Sequence, residues 1–214
     1  MSLAVLCDKA RISIRERLNP ILGPFRRVFL KNKSFSIISN NCWGGHVYRY
    51  FNLPYCSPTI GLYFFTEEYL RFLSNLGYYL SLDLSFISYQ QSKYRQYLVS
   101  RNETTVPIGI LGDVEIVFLH YKTPKEAKEK WDRRKERIKW DHLIIKMSEM
   151  NLCRKEHLAI FDQLPFENKI LFTTDECSYS SAIVFKEFLH HAEIENDTLN
   201  FRRYVNLFEI INRT

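Results

Sequence analysis

The chain has 214 residues, of which 46% are hydrophobic and 15% are aromatic, and its formal net charge is +6. This composition excludes a disordered chain and indicates one α/β domain over residues 1–214 with a sizeable core. Five cysteines without a CxxC motif exclude a disulfide framework and a zinc ribbon, so the expected location is the reducing cytoplasm.

Residues 1–33 carry the whole net charge, because they contain eight Lys or Arg and two acidic residues. Pro20 and Pro24 are expected to break any long helix in this segment. Two interpretations remain open. The segment either packs on the core with its arginines in solvent, or residues 9–33 make a peripheral contact with anionic lipid at the inner face of the membrane. No nucleic-acid partner is expected, because no recognised binding module accompanies the charge.

The first predicted strand covers residues 34–39 and ends in a polar turn with two consecutive glycines. A helix over residues 46–51 and a proline-bounded loop over residues 52–59 follow it. A strand, a tight turn and a helix start in succession are typical of ligand-binding sites in α/β proteins.

Thr66 is the predicted N-cap of the next helix, and Thr123 that of a helix reaching residue 139. Further strands are predicted at residues 114–119, 143–147 and 169–173, and further helices at residues 94–99, 157–164 and 201–211. The alternation of strands and helices predicts a three-layer α/β/α sandwich with a mostly parallel, Rossmann-like sheet.

The carboxyl ends of parallel strands share one edge, and ligands bind there. Polar clusters at residues 39–45, 112–113, 120–121 and 173–176 are therefore expected to lie together. The candidate catalytic residues are Cys42, His120 and Asp113. The candidate ligand-binding residues are Ser39, Asn40, Asn41, Trp43, Gly44, Gly45, Ser57, Thr59 and Tyr121. No metal site and no cofactor are predicted, because no suitably spaced motif is present.

Cys42 at a helix start is a candidate nucleophile with a lowered pKa, and His120 is the natural base for it. The alternative is that Cys42 is a small packing residue. Trp43 is either a stacking partner for a sugar or part of the core. Gly44 and Gly45 are expected to expose backbone N–H groups to an anion.

Several sequence strings carry a family resemblance: Ile-Ile-Ser-Asn-Asn-Cys-Trp-Gly-Gly (37–45), Ser-Pro-Thr-Ile-Gly-Leu (57–62), Phe-Leu-His-Tyr (118–121) and Trp-Asp-Arg-Arg-Lys-Glu-Arg-Ile (131–138). On these motifs the chain resembles a bacterial family of unknown function that is filed under exopolysaccharide or capsular polysaccharide biosynthesis. The resemblance covers most of residues 34–212. It implies polysaccharide assembly as the context and residues 39–45 as the family's signature, and it assigns no catalytic roles.

Two functions remain open from the sequence. One is a transferase of glycosyl or acyl type that acts on a glycan precursor with a phosphate-bearing donor such as a nucleotide sugar. The other is a noncatalytic binding or partner module of a polysaccharide assembly complex.

Overall fold

A computed structural model describes the backbone of residues 3–198 and 201–214, and the side chains of the same residues except 3–12 and 15. The strands within this part are β1 (Ser36–Ser39), β2 (Ser85–Ile87), β3 (Ile108–Leu111), β4 (Val114–Val117), β5 (Leu143–Ser148), β6 (Lys169–Thr173) and β7 (Ala182–Val184).

The α-helices in the same part of the chain are α1 (Leu3–Arg27), α2 (Trp43–Tyr50), α3 (Thr66–Ser74), α4 (Leu76–Ser81), α5 (Arg95–Ser100), α6 (Pro124–Lys135), α7 (Lys155–Gln163) and α8 (Leu207–Asn212). Short 3-10 helices cover Tyr89–Gln91, Trp140–His142, Lys186–Phe188 and Phe201–Arg203. The protein therefore has a mixed α/β fold.

The larger sheet contains four parallel strands in the order β1-β5-β6-β7, and the smaller one is antiparallel with the order β2-β3-β4. Three of the four parallel strands were predicted, and β7 was not. Strands of the larger sheet follow one another in chain order. The sheet therefore lacks the reversal of strand order that creates a ligand crevice in doubly wound folds. The predicted Rossmann-like sandwich is not confirmed.

Both faces of the parallel sheet are covered by apolar side chains, because adjacent residues of a strand point to opposite faces. Ile38 of β1 packs with Tyr69 of α3 and Leu158 of α7 on one face. Ile37 packs with Trp43 of α2 and with residues of the C-terminal segment on the other. Burial on both faces explains why Ile37 and Ile38 are apolar in succession and do not alternate with polar residues.

The strand predicted at residues 114–119 exists as β4, but it lies in the antiparallel sheet. Leu111 pairs with Val114, so Gly112 and Asp113 form a two-residue hairpin between β3 and β4. Gly112 has φ +60°, which a glycine adopts without strain. Asp113 therefore lies in the turn of a hairpin and not at the edge of the parallel sheet.

The segment 60–65 joins the two sheets. Tyr63 forms a bridge with Val117 of β4, with both backbone N–H···O distances at 2.9 Å. The next residue, Phe64, donates its N–H to the carbonyl of Asn40 at 3.0 Å, directly after β1. This double pairing brings the chain that follows β4 close to the chain that follows β1.

Helix α1 runs without interruption from Leu3 to Arg27, so the predicted break at Pro20 and Pro24 is wrong. The two prolines are four residues apart and both are exposed, so their rings lie towards solvent on one side of the helix. In the described residues, no helix is long and apolar enough to cross a membrane.

Other helix boundaries differ by a few residues. Thr123 caps α6 as predicted, since its hydroxyl accepts from the Glu126 N–H at 3.1 Å, but α6 ends at Lys135. Thr66 is the first residue of α3 and not its N-cap, and its hydroxyl donates to the Met150 carbonyl at 2.7 Å. The helix predicted at residues 201–211 is a 3-10 turn followed by the shorter α8.

Gly23 allows α1 to pack closely on the body. A Cβ at this position would lie 2.5 Å from Asn52 Cβ and 2.9 Å from two backbone atoms. We expect Gly23→Ala to destabilise the protein by about 1–3 kcal/mol, because backbone atoms cannot move aside as easily as side chains. Urea unfolding measures this loss.

Gly77 in α4 is the matched control, since a Cβ there would meet nothing within 4 Å. Gly77→Ala should stabilise the protein by about 0.5–1 kcal/mol through helix propensity alone. If the two variants have the same stability, the close contact of α1 with the body is wrong.

Candidate functional site

The polar turn after β1 is buried, and its side chains bond to protein. The side-chain amide of Asn40 makes two hydrogen bonds to the backbone of Ser148 in β5. Its Nδ2 donates to the Ser148 carbonyl at 2.9 Å, and its Oδ1 accepts from the Ser148 N–H at 3.0 Å. Ser39 donates its hydroxyl to the Asn41 carbonyl at 2.5 Å. These bonds extend the pairing of β1 with β5 beyond the strand end and fix the turn.

Asn41 belongs to a buried charged network. Its Nδ2 donates to Asp197 Oδ2 at 2.8 Å, and its Oδ1 accepts from the Lys146 ammonium at 3.0 Å. Lys146 and Asp197 form an ion pair with side-chain exposures of 0% and 1%. Ser148 donates its hydroxyl to the same carboxylate oxygen at 2.6 Å.

The charges of this network are matched internally. Burial alone would raise the pKa of the Asp197 carboxyl, but the Lys146 ammonium and the hydrogen bonds hold that pKa below its ordinary value. Burial lowers the pKa of Lys146, and the Asp197 charge opposes this effect. The network therefore connects β5, the turn after β1 and the C-terminal segment through one charged contact.

The side chains of Ser57 and Thr59 lie against the edge of β1 that pairs with no other strand of the described chain, and Thr59 hydrogen-bonds to its backbone. Thr59 Oγ1 accepts from the Ser39 N–H at 3.1 Å and lies 3.4 Å from the Ile37 carbonyl. The Ser57 hydroxyl lies 3.0 Å from Thr59 Oγ1. Both hydroxyls are buried, and they replace the hydrogen bonds that a further strand would make.

The residues at the start of α2 pack into the core. Trp43 is fully buried, with its ring edge-on to Phe172 and Phe201 at 5.9 and 5.5 Å. A Cβ on Gly44 would lie 3.2 Å from Ile37, and one on Gly45 would lie 3.3 Å from Ile60. The two glycines therefore permit α2 to lie close against β1 and the segment that follows it.

A cleft of about 500 Å³ opens beside α2. Its walls come from α1, α2, α6 and the segments after β1 and β4. The residues that line it are Glu16, Cys42, Gly45, His46, Arg49, Tyr55, Ile60, Gly61, His120, Tyr121, Lys130 and Arg134. Among them are three permanent cations, two histidines and one carboxylate, so the cleft is positive.

Arg134 is the most deeply placed of the three cations, with 7% of its surface exposed. It donates to the Tyr121 hydroxyl at 2.5 Å and to the Ile60 carbonyl at 3.4 Å, and its guanidinium lies 4.9 Å from the centre of the Tyr55 ring. Among the side chains that the structure describes, no Asp or Glu forms an ion pair with Arg134. It is thus a buried cation held by neutral groups.

The other two cations are partly neutralised at the rim. Arg49 forms an ion pair with Glu16 of α1 at 3.0 Å, and its guanidinium lies 3.0 Å from a ring nitrogen of His46. Lys130 pairs with Glu126 at 2.5 Å, and its ammonium lies 5.3 Å from the centre of the Tyr121 ring. One end of the cleft is therefore formed by α1 and α2 and the other by α6.

Cys42 lines the cleft as a thiol. Burial, and next the negative charge of Asp197, raise the pKa of this thiol to about 11. Its sulfur donates weakly to the Leu62 carbonyl at 3.7 Å. A thiolate nucleophile at neutral pH, as predicted from the helix start, would need a pKa shift in the opposite direction.

His120 lies at the mouth of the cleft, and its backbone N–H donates to the Gly61 carbonyl at 3.0 Å. The residue is exposed overall, but partial desolvation of its ring and then the Arg49 charge lower its pKa below 6.5. The imidazole is therefore neutral at pH 7 and can accept a proton. Gly61, at φ +76°, leaves room for the Tyr121 ring, which a Cβ would meet at 3.1 Å.

The structure brings together four of the predicted site residues, because Cys42, Gly45, His120 and Tyr121 line the cleft. Those that do not line it, and bond or pack within the protein, are Ser39, Asn40, Asn41, Trp43, Gly44, Ser57 and Thr59. Asp113 lies elsewhere, where it accepts from the Tyr79 hydroxyl at 2.8 Å. Residues 173–176 are also outside the cleft.

The sequence did not single out His46, Arg49, Lys130 or Arg134 as site residues. A signal for Arg134 was present, because this arginine follows Ala127 and Trp131 on the buried stripe of α6. A charged residue on an apolar helix stripe needs a partner, and that requirement indicates a site. In the described part of the chain, no group of three His, Cys, Asp or Glu residues could hold a metal ion.

Comparisons with known proteins identify a family. Residues 14–212 match the family described as "Domain of unknown function (DUF1919)". The chain belongs to the DUF1919 family. A relative from Haemophilus influenzae named "Uncharacterized protein" is 32% identical over 209 residues, which cover 95% of this chain and 95% of the relative. Neither description mentions polysaccharide biosynthesis, so the cleft residues carry the functional argument for this DUF1919 protein.

The buried ion pair can be tested by mutation. We expect Asp197→Asn to cost about 3–5 kcal/mol in urea unfolding, because it leaves the Lys146 ammonium buried without a counter-charge. The double variant Lys146→Met/Asp197→Leu should recover much of this loss. Asp175→Asn is the control, because Asp175 pairs with Lys155 at the surface, and its loss should be much smaller. Equal losses at the two aspartates would contradict the role of the buried pair.

The raised pKa of Cys42 predicts slow alkylation. At pH 8 its thiolate fraction should be about 100-fold lower than that of a thiol with the ordinary value of 9.0. Iodoacetamide should therefore modify Cys42 far more slowly than the exposed Cys177, and the rate at Cys42 should still rise towards pH 11. Peptide mass spectrometry measures both rates. Equal rates at pH 8 would contradict the raised pKa of Cys42.

Proposed function

We propose that the cleft binds a phosphate-bearing ligand, and that this DUF1919 protein transfers a glycosyl group from such a donor to a glycan precursor. The observation that carries the proposal is Arg134, a buried cation that faces the cleft and has only neutral partners. The glycan precursor is inferred from the sequence resemblance, and the phosphate group of the donor is inferred from the positive charge of the cleft.

A buried charge without a counter-ion is costly, and its desolvation is offset when an anion enters beside it. The planar guanidinium suits the oxygens of phosphate, with which arginine forms paired hydrogen bonds. Arg49 and Lys130 also line the cleft, and Glu16 is its one carboxylate. Glu16 pairs with Arg49 and Glu126 pairs with Lys130, so the excess positive charge of the cleft is that of Arg134, and this charge favours an anionic phosphate group.

The size and walls of the cleft fit a small molecule. Its volume of about 500 Å³ lies in the range of 300–1,000 Å³ that is usual for such ligands. Tyr55, Tyr121 and Ile60 supply aromatic and apolar surface beside the cations. This combination suits a donor that carries a sugar or a base next to its phosphates.

His120 is the proposed general base. The acceptor hydroxyl oxygen bonds to the sugar carbon, His120 takes the hydroxyl proton, and the phosphate leaves with the electron pair of the broken bond. Arg134 and Lys130 stabilise the negative charge of the leaving phosphate. The raised pKa of Cys42 favours this direct transfer over a covalent intermediate on sulfur.

Binding is tested by calorimetry with pyrophosphate and with UDP-glucose as probes. Arg134→Met should weaken binding about 10- to 100-fold, because a hydrogen bond to a charged group contributes about 1.5–3 kcal/mol. Without ligand, this variant should be at least as stable as the wild type, because it removes a buried cation without a counter-ion. Arg133→Met is the matched control, since Arg133 is the exposed neighbour on the same helix and does not line the cleft.

Turnover is tested by release of nucleoside diphosphate from nucleotide sugars in the presence of glycan acceptors. His120→Gln should abolish turnover and leave binding within about 2-fold, because its neutral ring is proposed to move a proton and not to hold the phosphate. Binding without turnover in the wild type would favour the noncatalytic binding module. If the wild type binds neither probe, or if Arg133→Met weakens binding as much as Arg134→Met, the site assignment is wrong.

A further inference from the structure

Exposed apolar side chains are concentrated on one helix and the turn after it. The described part of the chain has thirteen large hydrophobic residues with exposed side chains, and seven of them lie between residues 14 and 29. These seven are Ile14, Leu18, Ile21, Leu22, Phe25, Val28 and Phe29. The other six are scattered, so this segment carries the main apolar surface of the described protein.

The spacing of these residues places them on one face of α1. Positions 14, 18, 21 and 25 are separated by four, three and four residues, which is one stripe of an α-helix. Phe25 is 68% exposed and Ile21 is 63% exposed. The stripe therefore points away from the protein and has no partner among the described residues.

The opposite face of α1 is the one that packs on the body. Gly23 lies against residues 51 and 52, and Arg26 donates to the Asn19 side chain and to the Tyr50 carbonyl, both at 2.7 Å. A helix that only packs on a core buries its apolar stripe and exposes its polar one. In α1 the arrangement is reversed, which indicates that the apolar stripe contacts something other than this chain.

The positive charge of residues 1–33 indicates what kind of partner contacts the apolar stripe of α1. Residues 1–33 carry the entire net charge of +6, and Arg17, Lys31 and Lys33 are exposed on or near α1. A second copy packed on the same stripe would bring two strongly basic segments together, which like-charge repulsion opposes. An anionic lipid surface offers both an apolar interior and negative headgroups.

We infer that α1 lies in the plane of an anionic lipid bilayer, with the stripe from Ile14 to Phe25 and the following Val28 and Phe29 inserted among the lipids. The basic side chains then lie at the level of the headgroups. Glu16 on the inner side of α1 lines the cleft and pairs with Arg49, so the cleft is adjacent to the membrane-bound helix. This inference is independent of the ligand of the cleft.

The test is co-sedimentation of the full chain with vesicles of phosphatidylcholine, either pure or with roughly one-third phosphatidylglycerol. The protein should sediment with the anionic vesicles at low salt and much less with the neutral ones. Binding should fall several-fold as the salt rises to roughly 0.5 M, because salt screens the attraction. Lys31→Gln and Lys33→Gln should each weaken binding about 5-fold, the effect of one cation near such a surface.

The apolar contribution is tested with Phe25→Glu, which places a charge where the helix meets the lipid. This variant should lose vesicle binding at least 10-fold while its thermal unfolding is unchanged, because Phe25 is exposed in the free protein. Ile160→Glu is the matched control, since Ile160 is 48% exposed on α7 and outside the stripe. It should bind vesicles like the wild type.

Three results would overturn the inference. The first is that wild-type protein fails to sediment with anionic vesicles even at low salt, and the second is that Ile160→Glu and Phe25→Glu lose binding equally. The third is that light scattering shows a wild-type dimer that Phe25→Glu dissociates, with no binding to vesicles. The stripe would then be covered by a second copy of the chain.

Discussion

The buried ion pair between Lys146 and Asp197 is the contact on which the rest of the structure depends. Lys146 lies in β5 at the centre of the parallel sheet, where any charge must be matched inside the protein. Asp197 supplies the match from the C-terminal segment, and Asn41 bonds to both partners. The turn after β1 is held in this way, and α2 begins directly after it. The direction of α2 then determines where His46 and Arg49 meet the cleft.

The cleft lies between segments that follow strands of both sheets, although each sheet is a separate hydrogen-bonded unit. The segment after Thr59 makes this possible, because it pairs with β4 on one side and with the end of β1 on the other. Its Ile60 carbonyl accepts from the Tyr121 hydroxyl, which in turn accepts from Arg134. One chain of hydrogen bonds thus connects the sheet junction to the cation that carries the proposed function.

The parts of the fold that could be predicted are those determined by local pattern. Apolar runs identified β1, β5 and β6, and the Thr123-Pro124 sequence identified the start of α6. The sheet to which β4 belongs could not be derived from its own apolar residues, because they suit a parallel or an antiparallel partner equally. The Gly112-Asp113 turn contained that information.

The site was predictable in part, for a related reason. The polar residues after β1 were recognised, but most of them bond to each other and to β5, and only their neighbours Cys42 and Gly45 reach the cleft. The cations come from α2 and α6, and α2 is distant in sequence both from α6 and from His120. The charge of Lys146 inside a predicted strand had no visible partner, because Asp197 is 51 residues further along the chain. Long-range pairing of this kind is not encoded in local periodicity.

The pairing of β1 with β5 also determines when the protein can fold during its synthesis. Ser36 pairs with Leu143, so roughly a hundred residues must be added before β1 finds its neighbour. At about 5–20 residues per second the ribosome needs about 5–20 s for this stretch. Asp197 follows later still, and Lys146 has no counter-charge until it arrives. The nascent chain therefore carries an unpaired apolar strand until β5 has been synthesised, and a lysine destined for the interior without its counter-charge until Asp197 has been added.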